Sequence, residues 1–234
     1  MNLKQFTEYC YEDVAAEMGF LQCRGRYIRV GDGFVSTFTL GKWSNNRVVR
    51  PMMDIFPLCR ELHLTDEEKL DDPTGGYWRH YKRREELDFS QNTPIERCEE
   101  IKAYLLDVFD KAQRPFLEQA RDLPSTFDAY RAYIAYQREF ALGKVYDFEQ
   151  AENYWMFLIM LKRYDEALEN FNKAAQHFGW NWDDLEEGPY SFQMALIHRR
   201  LENGEWDKVE AFVRRRTGRN QALLGYEKMI KPGK

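Results

Sequence analysis

The stretch RYIRVGDGFVSTFTLGKW, residues 26–43, decides the fold. Gly31-Asp32-Gly33 stands between two runs rich in β-branched and aromatic residues, Arg26 to Val30 and Phe34 to Trp43, which is a strong hairpin signal. In the second run Phe34, Phe38 and Leu40 fall on one face, with Ser36 among them, and Val35, Thr37 and Thr39 fall on the other. Ser44-Asn45-Asn46 reads as a second turn and Val48 to Phe56 as a third strand. Pro51 has no N–H to give to a ladder, so that strand is expected at an edge or at a bulge. Short turns between neighbouring strands make an antiparallel meander, and three to five strands are expected.

On the N-terminal side the period changes from two to 3.6. Leu3, Phe6, Cys10, Val14 and Met18 step by three or four and predict one apolar stripe on a helix over 3–18, with Gly19 as its C′ residue. On the C-terminal side, Leu62 to Leu70 is acidic and Asp71 to Gly76 reads as a loop. Tyr77 to Phe89 fits a strand or an extended segment.

Helices are expected from residue 93 onward. Thr93-Pro94-Ile95-Glu96 has the form of a capping box with proline at the first helical position. Ile95, Cys98, Ile101, Leu105, Val108, Phe109 and Ala112 follow as a buried stripe, and Pro115 ends or kinks that helix. Ser125 to Asp128 opens the next helix, with Tyr130, Ile134 and Phe140 inside and Gly143 at its close. Residues 147–178 read as a helical hairpin broken near Lys162-Arg163-Tyr164. The second arm carries Ala167, Leu168, Phe171, Ala174 and Ala175. A second pair, Tyr190 to Glu202 and Glu205 to Arg216, breaks at Asn203-Gly204. The fold class is therefore α+β: residues 1–92 form a helix and sheet region, and residues 93–234 a helical region, with one continuous domain as the alternative.

Lys162 to Ala174, KRYDEALENFNKA, resembles the turn and second helix of a tetratricopeptide repeat, and Gly204-Glu205-Trp206-Asp207-Lys208-Val209 resembles the same turn again. Tyr164 and Trp206 are 42 residues apart rather than the ~34 of the standard repeat, and Val209 stands where the small alanine belongs. The resemblance covers about a third of the chain. It implies packed helix–turn–helix units, with Ala167 buried against its partner helix, and a binding surface rather than an active site. The N-terminal part resembles the bacterial family called domain of unknown function 4304, in the order of a helix, Gly19-Phe20, Arg26-Tyr27, a strand ending Phe38-Thr39-Leu40-Gly41, and an apolar run into Ile55-Phe56. That style of family includes suspected immunity proteins of bacterial toxin systems. No catalytic motif comes with the resemblance.

Composition narrows the function classes. The 234 residues are 44% hydrophobic and 15% aromatic, enough for a real core. The net charge of −5 disfavours nucleic acid as a partner, because phosphate binding needs a basic field. Residues 61–120 hold the acidity, with 15 acidic side chains against 9 basic. No apolar run approaches the ~18 residues of a membrane span, and the polar start of the chain lacks a signal-peptide core. A cytoplasmic, soluble protein is expected. Cys10, Cys23, Cys59 and Cys98 show no CxxC spacing and are expected as free thiols.

Motifs for chemistry are sparse. His63, His80, His177 and His198 have no zinc-ligand neighbours at the required spacing. Gly31-Asp32-Gly33 and Gly75-Gly76 match no phosphate loop, and there is no GxSxG elbow. No catalytic residue, cofactor or metal is expected. Three basic runs stand out, Lys82-Arg83-Arg84, His198-Arg199-Arg200 and Arg214-Arg215-Arg216. The last lies on a helix, where three consecutive residues cannot share a face, which weakens a groove-reading role and leaves phosphate contact as the alternative. The candidate partner-binding residues are Trp180, Trp182, Asp183, Asp184, Glu186 and Glu187. Two tryptophans either wedge a helix joint or, if exposed, form hot spots, and the adjoining carboxylates suit a basic protein partner. The expected function is non-catalytic protein–protein interaction, as a bacterial immunity or adaptor protein. The alternative is an enzyme with an unfamiliar site between sheet and helices.

Overall fold

A computed structural model of the chain describes residues 1–23, 25–43, 48–60, 62, 87–140, 148–179, 181–182 and 189–225. The fold is α+β. The chain divides into two compact units: Met1–Ile55 with Leu62–Val145, and Phe56–Glu61 with Tyr146–Lys234. This differs from a division at 92/93. The helices of residues 95–140 group with the sheet, and a short piece from the middle of the chain groups with the helical hairpins.

In the first unit, α1 (Leu3–Glu17) starts with a capping box, in which the Asn2 carboxamide accepts from the Gln5 N–H and the Gln5 side chain accepts from the Asn2 N–H, both at 2.9 Å. It ends at Met18, with Gly19 at φ +72° in the C′ position. The buried stripe is Phe6, Thr7, Cys10, Tyr11 and Ala15. It is rotated from the expected one: Leu3, Val14 and Met18 are only half-buried, because Tyr11 takes the inner position.

Among the described residues the sheet has four antiparallel strands in the order β1 (Leu21–Cys23), β2 (Arg26–Val30), β3 (Phe34–Trp43), β4 (Val48–Pro57). The hairpin registers as Tyr27 opposite Phe38 and Val30 opposite Val35. Its turn needs both glycines for different reasons. Gly33 has φ +90°, and a Cβ on Gly31 would lie 2.2 Å from the Phe34 ring. Pro51 lies on β4, the end strand in the order of the described strands, and Val48 of the same strand bridges to Asp88. Every residue from Phe34 to Leu40 is buried, on both faces of β3.

Phe38 organises this core. Its ring lies 4.9 Å from Phe20, 5.5 Å from Tyr11, 5.3 Å from Tyr27 and 4.9 Å from Phe109. Phe109 comes from α2 (Ile95–Ala112), which packs on α1 and thereby joins the sheet unit. Burying aromatic side chains of this size contributes about 1.5–3 kcal/mol each. The Thr93 capping box does not form, because the Thr93 hydroxyl accepts from the Ser90 N–H at 2.8 Å instead. Ile95, expected inside, is 52% exposed. After Pro115 breaks the path, α3 (Arg114–Gln119) leads into α4 (Leu123–Phe140). That helix starts earlier than expected: Asp122 Oδ1 accepts from the Ser125 N–H at 2.8 Å, and Ser125 Oγ accepts from the Asp122 N–H at 3.0 Å. The inner side carries Phe127, Ala129, Tyr130 and Tyr133, while Ile134 is half-buried. The expected features at Ser44–Asn46, at 63–86 and at Gly143 lie outside the described residues.

Among the described residues the second unit has four helices: α5 (Phe148–Met160), α6 (Tyr164–Phe178), α7 (Pro189–Glu202) and α8 (Trp206–Leu224). Contacts run α5 to α6, α6 to α7, α7 to α8, and also α5 to α8, so the four helices close a ring. α8 continues eight residues past the expected end at Arg216. The buried Asn220 and Leu224 outweigh the roughly 1 kcal/mol that Gly218 costs in a helix.

The tail of β4 belongs to this unit as well. Leu58 and Cys59 are fully buried there, and Asn220 Nδ2 donates to the Leu58 carbonyl at 2.7 Å and to the Arg60 carbonyl. The Arg60 guanidinium lies 5.5 Å from the Phe56 ring centre.

Two substitutions test the framework. Gly33→Val should destabilise the protein by about 1–3 kcal/mol, read from the urea midpoint, because a β-branched residue is strained at positive φ. Ala167 is fully buried on α6, so Ala167→Leu should cost about 1–3 kcal/mol by overpacking. An unchanged midpoint for either variant would contradict the packing described.

Candidate interaction surface

The two hairpin turns of the helical unit have the same backbone design. In the first, Lys162 is left-handed at φ +58°, its N–H donates to the Ile159 carbonyl, and the Arg163 N–H reaches back to the Leu158 carbonyl at 2.9 Å. In the second, Gly204 has φ +65°, its N–H donates to the Leu201 carbonyl, and the Glu205 N–H reaches back to the Arg200 carbonyl at 2.9 Å. Both helices close through the paired bonds of a Schellman motif. Residues 42 positions apart therefore correspond: Lys162 with Gly204, Tyr164 with Trp206, Ala167 with Val209. Ala167 and Val209 are both fully buried, so the larger residue in the second copy still faces inward.

Lys162 occupies a conformation that costs an L-residue roughly 1–2 kcal/mol, where the second turn uses glycine. Its side chain reaches from the first turn to α8, with Nζ 2.9 Å from Glu210 Oε1. The Tyr164 hydroxyl donates to the same oxygen at 2.9 Å. The Tyr164 ring lies flat on Trp206, with ring centres 4.9 Å apart and planes within 7°. Trp206 is still 36% exposed. The two turns thus present one aromatic pair, braced by a carboxylate that Lys162 and Tyr164 share.

Lys162 and Tyr164 hold the Glu210 carboxyl below the usual glutamate range. Burial, then the bond to Glu210, pushes the Tyr164 phenol up to about 12, so it stays a donor at neutral pH. The aromatic pair is edged by further ion pairs, Arg163 with Glu166 and Lys208 with Glu205. These are exposed and contribute little stability individually.

Of the candidate partner-binding residues, Trp182 is the one described. It is buried in the helical unit, 5.9 Å from Trp155, 5.2 Å from Phe171 and stacked on His198 at 5.1 Å. It serves as a wedge in the joint. Trp180, Asp183, Asp184, Glu186 and Glu187 lie outside the described residues. Tyr164 and Trp206 hold equivalent positions in the two turns, but their contact is a tertiary fact that spacing along the chain does not carry.

Among the described residues Cys10, Cys59, Cys98 and His198 are buried, while Cys23 is half-buried. All four cysteines are free thiols. Burial pushes Cys59 up to about 12, with Arg216 pulling downward and Glu152 pushing further up. Burial likewise pushes Cys10 to about 12 and raises Cys98. A protonated, buried thiol is a poor nucleophile. His198 is buried, with Nε2 2.8 Å from Asn172 Oδ1 and Nδ1 3.5 Å from Glu202 Oε2. Among the described residues no three His, Cys, Asp or Glu side chains converge as a metal site, and no helix is long and apolar enough to cross a membrane.

No protein-family model, curated protein or solved structure matches this chain.

The Glu210 lock makes a pH prediction. A carboxyl whose folded pKa is depressed adds stability above its unfolded pKa and loses it as pH falls through the folded value. The melting-temperature gap between the natural protein and Glu210→Gln should therefore be constant near neutrality and shrink on acidification below the ordinary glutamate range. A gap independent of pH would mean that the charge on Glu210 does not hold the two turns.

Proposed function

We propose that this protein is a non-catalytic protein–protein interaction module, a bacterial adaptor or immunity protein acting in the cytoplasm, and that its helical unit carries the binding surface. The observation behind this reading is the exposed Trp206, stacked on Tyr164 where the two turns meet. Tryptophan and tyrosine dominate interface hot spots because they bury a large area with few torsions to freeze. Here the stack and the Glu210 bonds have already fixed the rings, so a partner gains contact area without the ordering cost. The resemblance of both turns to tetratricopeptide turns supports the same reading, since such units serve mainly as binding surfaces. Burial of Cys10, Cys59 and Cys98 disfavours these three as thiol nucleophiles.

The test is affinity capture from the source cells with the natural protein and with Trp206→Ala, side by side. The expected outcome is a specific partner that the variant loses, while the variant's melting temperature falls by only a few degrees. Equal capture by both proteins would remove the aromatic pair from the interface.

A further inference from the structure

The outer face of α8 has an unusual composition. Positions 211, 214, 215, 218, 219 and 222 follow helical spacing along one side, and all six are exposed. They are Ala211, Arg214, Arg215, Gly218, Arg219 and Ala222. From Ala211 to Leu224 there are four arginines and no acidic residue, in a chain whose net charge is −5. Arg216, the fourth, turns inward and donates to Gln193 Oε1, so the outward charge belongs to the other three.

These three guanidinium groups are lightly engaged. Arg214 is 71% exposed at its side chain and lies 3.6 Å from Glu210 Oε2, on a carboxylate already held by Lys162 and Tyr164. Arg215 lies 5.9 Å from the centre of the Phe212 ring. Arg219 makes no ion pair with a described residue. Between them Ala211, Gly218 and Ala222 leave a bare lane, and a Cβ on Gly218 would meet nothing within 4 Å. Small residues let a second helix approach to the short end of the usual ~8–10 Å range. Arginine forks at that distance match carboxylates in pairs.

We propose that this face docks an acidic helix of a protein partner, with carboxylates at i, i+3, i+4 and i+7 meeting Arg214, Arg215 and Arg219. This rests on the interaction-module reading above and names the chemistry of the partner. One helix face on an acidic chain favours a short acidic protein segment over a nucleic acid, whose binding draws on a broad basic field.

The experiment uses the full chain and a fluorescein-labelled helical peptide with glutamates at i, i+3, i+4 and i+7, read by anisotropy. A second peptide of the same composition has the glutamates scattered around the helix. The striped peptide should bind the natural protein at least tenfold more tightly than the scattered one. Arg215→Glu with Arg219→Glu should weaken it tenfold or more, and a lysine-striped peptide should prefer that variant. Arg215→Gln with Arg219→Gln, which adds no repulsion, should give an intermediate loss with an unchanged thermal melt. Equal binding of both glutamate peptides, no response to charge reversal, or stronger binding of duplex DNA than of the striped peptide would overturn the proposal. If it fails while capture still depends on Trp206, only the α8 face is lost. If that dependence is absent too, the interaction reading goes with it.

Discussion

The helical unit depends on how two backbone carbonyls are satisfied. Leu58 and Arg60 lie in a segment that is neither helix nor sheet ladder, and they are buried. Buried carbonyls without donors cost free energy on the order of a lost hydrogen bond each. Asn220, on α8, supplies one carboxamide nitrogen to both. That side chain sets the path of the β4 tail within the unit and holds the end of α8 against it. The helical unit is therefore built from two distant pieces of chain, and no boundary drawn at a single residue can describe it.

This explains which parts of the fold were legible in sequence. The hairpin was, because Gly31 and Gly33 are local requirements and the strands alternate around them. The placement of Pro51 was, because a missing donor restricts a strand wherever it lies. The two helical turns were also visible, since each ends its helix by local hydrogen bonds. What the sequence did not reveal depends on partners far along the chain. The inward face of α1 is set by Tyr11 meeting Phe38 and Phe109, not by Leu3 and Val14. Thr93 has the right neighbours for a cap, yet its hydroxyl is taken by Ser90. α8 runs through Gly218 because Asn220 has buried carbonyls to meet.

The candidate surface follows the same division. Tyr164 and Trp206 were recognisable as equivalent positions, but equivalence along the chain does not imply contact. Closing the four helices into a ring brings the turns together, and Glu210 then serves both Lys162 and Tyr164. Lys162 takes a strained backbone conformation, and its side chain crosses to α8. Where no such crossing is made, in the second turn, glycine takes the position.

The two-piece construction also has a consequence in time. Leu58 is made 162 residues before Asn220, the side chain that accommodates its carbonyl. At a synthesis rate of about 5–20 residues per second, that is a wait of roughly 10–30 s. Sheet hairpins form in about 1–10 μs, so the strands ahead of Leu58 can pair long before α8 exists. Through that interval the Leu58 and Arg60 carbonyls lack the donor that Asn220 later supplies. In the newborn chain these two carbonyls therefore stay with water until α8 arrives to replace it.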